Sequence, residues 1–187
     1  LPRLGSRFTV MCQLSKLIHP IRRELKDSIH EESRLKSAKL LEIMLIYVEE
    51  HIVEHLNFIV PILLNIYSEE QSSSEEIKSK IDSCFRLIGR YCPSASFHPL
   101  FEKSLFSEVA QEGRHLNNGL RGYQKVMEGY LEALPDGAGL LDKKEHIISV
   151  LSKIGDVAWL DIQRRNSIVE CSTLFQTILE AVMRKGL

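Results

Sequence analysis

Residues 34–48 read RLKSAKLLEIMLIYV, and their spacing decides the fold class. The stretch has no Gly or Pro, and from Leu40 to Val48 Glu42 is its only polar residue. Leu35, Ala38, Leu41, Leu45 and Val48 recur at helical spacing, with Ile43, Ile46 and Tyr47 lying off that stripe. A helix apolar almost all round has to be covered on most sides, so this one is expected to be an inner helix of a layered all-α stack. Ser33 is its expected N-cap.

The opening of that helix recurs along the chain. Leu35-Lys36-Ser37 returns as Ile77-Lys78-Ser79 and again as Leu120-Arg121-Gly122, each copy followed by an apolar stripe. A second marker keeps step, since Pro20, Pro61 and Pro99 each lie in the apolar segment that precedes a copy. A period near 40 residues, with Pro in a first helix and an apolar–basic pair opening a second, resembles the HEAT repeat. One such hairpin cannot bury its own apolar face, so neighbours must stack. The expected fold is therefore a HEAT-type α-solenoid of about four helical hairpins, eight helices in all. The repeats fall at about 8–50, 52–92, 96–134 and 140–185, in one fragment of a longer protein. A first helix over Phe8–Ser28 should be kinked at Pro20, and Pro99 should fall in a first turn. In the last repeat Ile168, Cys171, Phe175, Ile178 and Val182 continue the stripe. Gly113, Gly119, Gly122 and Gly129 weaken the third pair by propensity but allow close helix approach.

Composition narrows the function. The 187 residues are 44% apolar, 26% charged and 7% aromatic, with a net charge of −1. That is ordinary for a globular protein, and it supplies no field that would draw nucleic acid or an anionic membrane. No apolar run approaches the ~20 residues of a membrane span. Cys12, Cys84, Cys92 and Cys171 form no C-x-x-C pair and read as reduced, buried, small apolar residues of a cytoplasmic protein.

The one catalytic motif is His51-Ile52-Val53-Glu54-His55, an H-x-x-E-H string. On an α-helix its two histidines could chelate zinc with Glu54 as base, which would make a zinc hydrolase. A polar corner between repeats is the stronger reading, because no third ligand is apparent, and no metal or cofactor is expected. Ser72 and Ser73 in the SEEQSSSEE stretch each have an acid three residues on and are candidate phosphorylation sites. The candidate partner-binding residues are Lys36, Lys39, Lys78, Asp82, Arg86, Arg121 and Lys125, which recur on successive second helices. They form either a mixed-charge binding stripe or a structural ladder in which each base meets an acid such as Asp27 on a first helix or turn.

Residues 20–56 carry a closer resemblance. The REL-K-D end of a first helix (Arg23, Glu24, Leu25, Lys26, Asp27), the core Arg34, Lys36, Ala38, Leu40, Leu41 and the exit Glu49, His51, His55, Leu56 resemble the HEAT-repeat dynein axonemal assembly factors. The likeness continues more loosely through residues 75–105 and weakens beyond about residue 120. It implies a non-catalytic cytoplasmic scaffold for preassembly of axonemal dynein arms. Its partners would be dynein chains, assembly factors or chaperones, and no catalytic residues carry over. A generic HEAT-repeat adaptor in transport or chromosome architecture is the alternative.

Overall fold

The computed structural model describes residues 4–68, 74–106, 114–134, 152 and 168–184. Within them the chain forms α1 (Leu4–Cys12), α2 (Leu14–Asp27), α3 (Glu31–Val48), a 3-10 stretch (Glu49–His55), α4 (Leu56–Ser68), α5 (Glu75–Tyr91), α6 (Ser94–Phe106), α7 (Arg114–Ala133) and α8 (Ile168–Arg184). No strand occurs among the described residues. The fold is all-α, with α2 packed on α3, α4 on α5 and α6 on α7.

The second helices make one row. α3 packs on α5, α5 on α7 most extensively, and α7 on α8. The first helices make a second row, α2 against α4 and α4 against α6. Between the rows lies one continuous core. α3 contributes Leu41, Met44, Leu45 and Val48, α5 contributes Ile77, Ile81, Phe85 and Ile88, and α7 contributes Tyr123, Val126, Met127 and Tyr130. Phe85 sits at its middle, 5.7 Å from the rings of both Tyr67 on α4 and Phe101 on α6.

Burial also fixes the register. Leu41, Met44, Leu45 and Val48 are matched by Ile81, Cys84, Phe85 and Ile88, 40 residues on. Those are matched by Tyr123, Val126, Met127 and Tyr130, 42 further on. The triplets Leu35-Lys36-Ser37 and Ile77-Lys78-Ser79 are thus two residues out of structural step. They resemble each other in chemistry but sit at different angles around their helices.

Pro20, Pro61 and Pro99 lie inside α2, α4 and α6, one per first helix, with their rings exposed. An outward ring leaves its missing N–H on the water side, where the lost bond matters least. Other details depart from expectation. The first helix divides at Gln13 instead of running unbroken through Phe8–Ser28. α3 begins at Glu31 with His30 as N-cap, so Ser33 lies inside its first turn. Pro99 falls in the second turn of α6, which starts at Ser94. The eight expected helices are therefore not matched one to one. The first helix of the fourth pair, like Ser72, Ser73 and the 134–139 turn beyond Leu134, lies outside the described residues.

Two glycines explain the close α5/α7 contact. A Cβ on Gly89 would lie 1.9 Å from the Val126 carbonyl oxygen, and one on Gly129 would lie 1.9 Å from that of Arg86. The two backbones touch reciprocally, which only glycine permits.

Candidate interaction face

The H-x-x-E-H string does not form the α-helical histidine pair that zinc chelation requires. Residues 49–55 are 3-10, not α. At three residues per turn, His51 and His55 lie about 120° apart around the axis, where an α-helix would put them on one face. Ile52 is buried as the anchor of the corner, while His51 and Glu54 face water. Among the described residues no group of three or more His, Cys, Asp or Glu side chains is placed to hold a metal ion. The corner is entered at Glu49, whose φ of 51° is the single positive value outside glycine among the described residues. The Glu49 carboxylate accepts from the Arg7 guanidinium on α1, which ties the corner back to the start of the chain.

The basic stripe is real but is occupied. Lys39 on α3 reaches Glu76 on α5 at 2.8 Å. Lys80 on α5 returns to Glu42 on α3 at 2.9 Å, where Glu42 also accepts from the Ser83 hydroxyl. Arg121 on α7 reaches Asp82 on α5 at 3.2 Å. Arg86 on α5 and Lys125 on α7 both meet Glu128, each at 2.8 Å. Lys36 and Lys78 pair within their own helices, with Glu32 and Glu75. The ladder therefore forms, but with acids on the second helices themselves instead of acids such as Asp27 on a first helix. The members differ in exposure. The side chains of Lys36, Lys39 and Arg86 are 72%, 45% and 47% exposed, while Lys78, Asp82 and Lys125 are largely covered.

Asp82 is the hub of a three-helix knot. It accepts from the Tyr67 hydroxyl on α4 and from Arg121 on α7, and the Arg121 guanidinium lies 4.8 Å from the Tyr67 ring centre. Burial, with the Asp82 charge beside it, pushes the Tyr67 hydroxyl far up, so it stays a donor. At Glu42 burial alone would raise the carboxyl. The Ser83 hydroxyl and the Lys80 and Lys39 charges outweigh it and hold the group below its ordinary value. Glu128 behaves alike, with Lys125 and Arg86 overcoming its burial.

What the sequence missed is apolar. Leu40, Ile43 and Ile46 are about half exposed and run along the side of α3 opposite its buried stripe. They were expected to be covered. The signal was present in a helix apolar almost all round, where cover on most sides still leaves one side open. Phe175 likewise stands exposed with Leu179 and Met183 on α8, while Ile178 of the expected stripe is buried. Cys12 was expected to be buried but is an exposed free thiol, because it ends the short α1 at the Gln13 break; Cys84 and Cys92 are buried free thiols as expected. Burial pushes the Cys92 thiol up to about 12.

Among the described residues no helix is long and apolar enough to cross a membrane. The family model for the HEAT-repeat domain of dynein axonemal assembly factor 5 matches residues 1–158. Dynein axonemal assembly factor 5 of Mus musculus is 33% identical over 93 residues, which is 48% of this chain and 10% of the relative. That of Homo sapiens is 29% identical over 138 residues, 71% of this chain and 15% of the relative. The chain thus spans only a small part of the length of the curated relatives it matches. No solved structure matches it. The stacked helix pairs and the family match lead to one conclusion: the chain belongs to the HEAT-repeat domain family of dynein axonemal assembly factor 5.

Proposed function

We propose that this chain is a non-catalytic scaffold segment for the cytoplasmic preassembly of axonemal dynein arms, acting by binding proteins along its row of second helices. The observation that carries the reading is the outer side of α3, where Leu40, Ile43 and Ile46 stand in water beside the exposed Lys36 and Lys39. Clustered exposed apolar side chains rimmed by charge suit a protein surface, because covering them is favourable and the rim sets orientation. The matched relatives are named for dynein axonemal assembly, which supports dynein chains, assembly factors or chaperones as partners and neither nucleic acid nor membrane.

The charged residues divide in this reading. Lys36, Lys39 and Arg86 meet the partner, because exposed pairs are worth only about 0–1 kcal/mol and exchange readily. Asp82 and Arg121 tie α5 to α7, while Lys78 and Lys125 are covered in pairs on their own helices. The test is capture of axonemal dynein chains from ciliated-cell extract by the full-length parent protein. Ile46→Glu with Lys39→Glu should reduce capture severalfold while helicity is kept, and capture should weaken as salt rises. Undiminished capture by the folded double variant sinks the reading.

A further inference from the structure

A cleft of about 540 Å³ opens between α1, α2 and α3, on the side of α3 turned away from α5. Val10, Leu17, Leu40, Ile43, Met44 and Tyr47 make it almost wholly apolar, and Glu24 is the one charged residue in its wall. The Glu24 carboxylate is half-buried and has no ion-pair partner among the described residues.

The register says what kind of object fits. Leu40, Ile43, Met44 and Tyr47 stand where α5, 40 residues on, has Lys80, Ser83, Cys84 and Leu87. The first three of those dock α5 on α3: Lys80 and Ser83 bind Glu42, and the Cys84 thiol faces the Ala38 carbonyl at 3.9 Å. One step further, 42 residues on, stand Gly122, Lys125, Val126 and Gly129, and Val126 and Gly129 meet the α5 backbone. The edge of α3 that lines the cleft is thus the edge by which each later second helix seats against another helix. It differs in one respect: Leu40 and Ile43 replace the ion-pairing Lys80 and the hydrogen-bonding Ser83. A helix placed here meets apolar side chains and a carboxylate, not a mixed ladder.

We propose that this cleft takes an amphipathic helix of a partner protein, laid alongside α3, with an apolar stripe in the cleft and a basic residue meeting Glu24. This is helix-in-groove recognition, with anchors at i, i+3, i+4 and i+7. It deepens the scaffold reading and rests on it.

The experiment uses the full chain and two fluorescein-labelled helical peptides. Both carry leucines at heptad spacing. One has an arginine a turn beyond the stripe, and the other has a glutamate there. Fluorescence anisotropy should show saturable one-to-one binding, tighter for the arginine peptide. Glu24→Lys should reverse that order. Ile43→Glu should weaken both peptides by at least about tenfold, and Ile46→Glu, on the same helix but outside the cleft, should change neither. Circular dichroism checks that the exposed-site variants keep their helices. The proposal is overturned if neither peptide binds, or if Glu24→Lys and Ile43→Glu leave both isotherms unchanged. It is also overturned if sedimentation shows a dimer that Ile43→Glu dissociates, since a second copy then holds the cleft. Intact dynein-chain capture without peptide binding sinks the cleft alone, and lost capture with intact peptide binding sinks the scaffold reading alone.

Discussion

The α3/α5 and α5/α7 seams are built on one plan and closed by different means. At α3/α5 the helices are held by side chains, with Lys39, Glu76, Lys80, Glu42 and Ser83 crossing between them. At α5/α7 the backbones themselves meet, at Gly89 on one side and Gly129 on the other. Ion pairs flank that contact but do not set its distance. A charged ladder tolerates exchange, because each member can turn to water or to another partner. A glycine contact tolerates nothing larger than hydrogen. The comparison teaches that a repeated fold need not repeat its chemistry.

Single substitutions and a change of pH probe the difference, and the largest effect should come from the helix both seams share. Phe85→Ala removes a fully buried ring from between Tyr67 and Phe101. It should cost about 3–5 kcal/mol in urea-induced unfolding, as large-to-small core changes do. A loss below about 1 kcal/mol would mean that the two seams do not share a core.

The second contrast separates them. Gly129→Ala pushes a methyl group into the Arg86 carbonyl and should cost about 1–3 kcal/mol or more by overpacking. Glu42→Gln keeps the shape of the ladder residue and loses only charge, so it should cost about 1 kcal/mol or less. If the ladder change proves the more damaging, the backbone contact is not what closes α5/α7.

The smallest effect is acid sensitivity, and it follows from Glu42 and Glu128. Both have folded-state values below the ordinary 4.5 of a glutamate. The folded state therefore binds fewer protons than the unfolded state through this window. The stability the two carboxylates contribute is fully present above pH 4.5 and is lost as pH falls through their folded values. Thermal melts from pH 7 downward should hold level to about pH 5 and then fall. With both replaced by Gln, that decline should be shallower, and an unchanged decline would place the acid response elsewhere.

Much of this arrangement was legible in the residues. Helical periodicity gave the all-α class, and the prolines marked the first helices because an outward-facing ring is where a helix tolerates one. Ser74 caps α5 ahead of Glu75-Glu76, and its hydroxyl accepts from the Ile77 amide. The candidate stripe was legible as a recurrence of bases. Its partners were not, because Lys39 and Glu76 are 37 residues apart and periodicity reports faces of one helix, not which helix abuts it. The open side of α3 was hidden for the same reason. An all-apolar helix states that it can be covered everywhere, and only the neighbours decide where it is. The 3-10 corner was hidden because EEHIVEH carries no Pro or Gly to mark a change of winding.

That corner has a mechanical consequence. Seven residues wound 3-10 span about 14 Å, where the same residues as α-helix would span about 10 Å. Val48 closes one helix and Leu56 opens the next, with no slack loop between them. The join is a stiff bracket, pinned inward by Ile52 and tied at Glu49 to Arg7. A rotation of α3 is passed to α4 through the bracket itself, with no loop between them to absorb it.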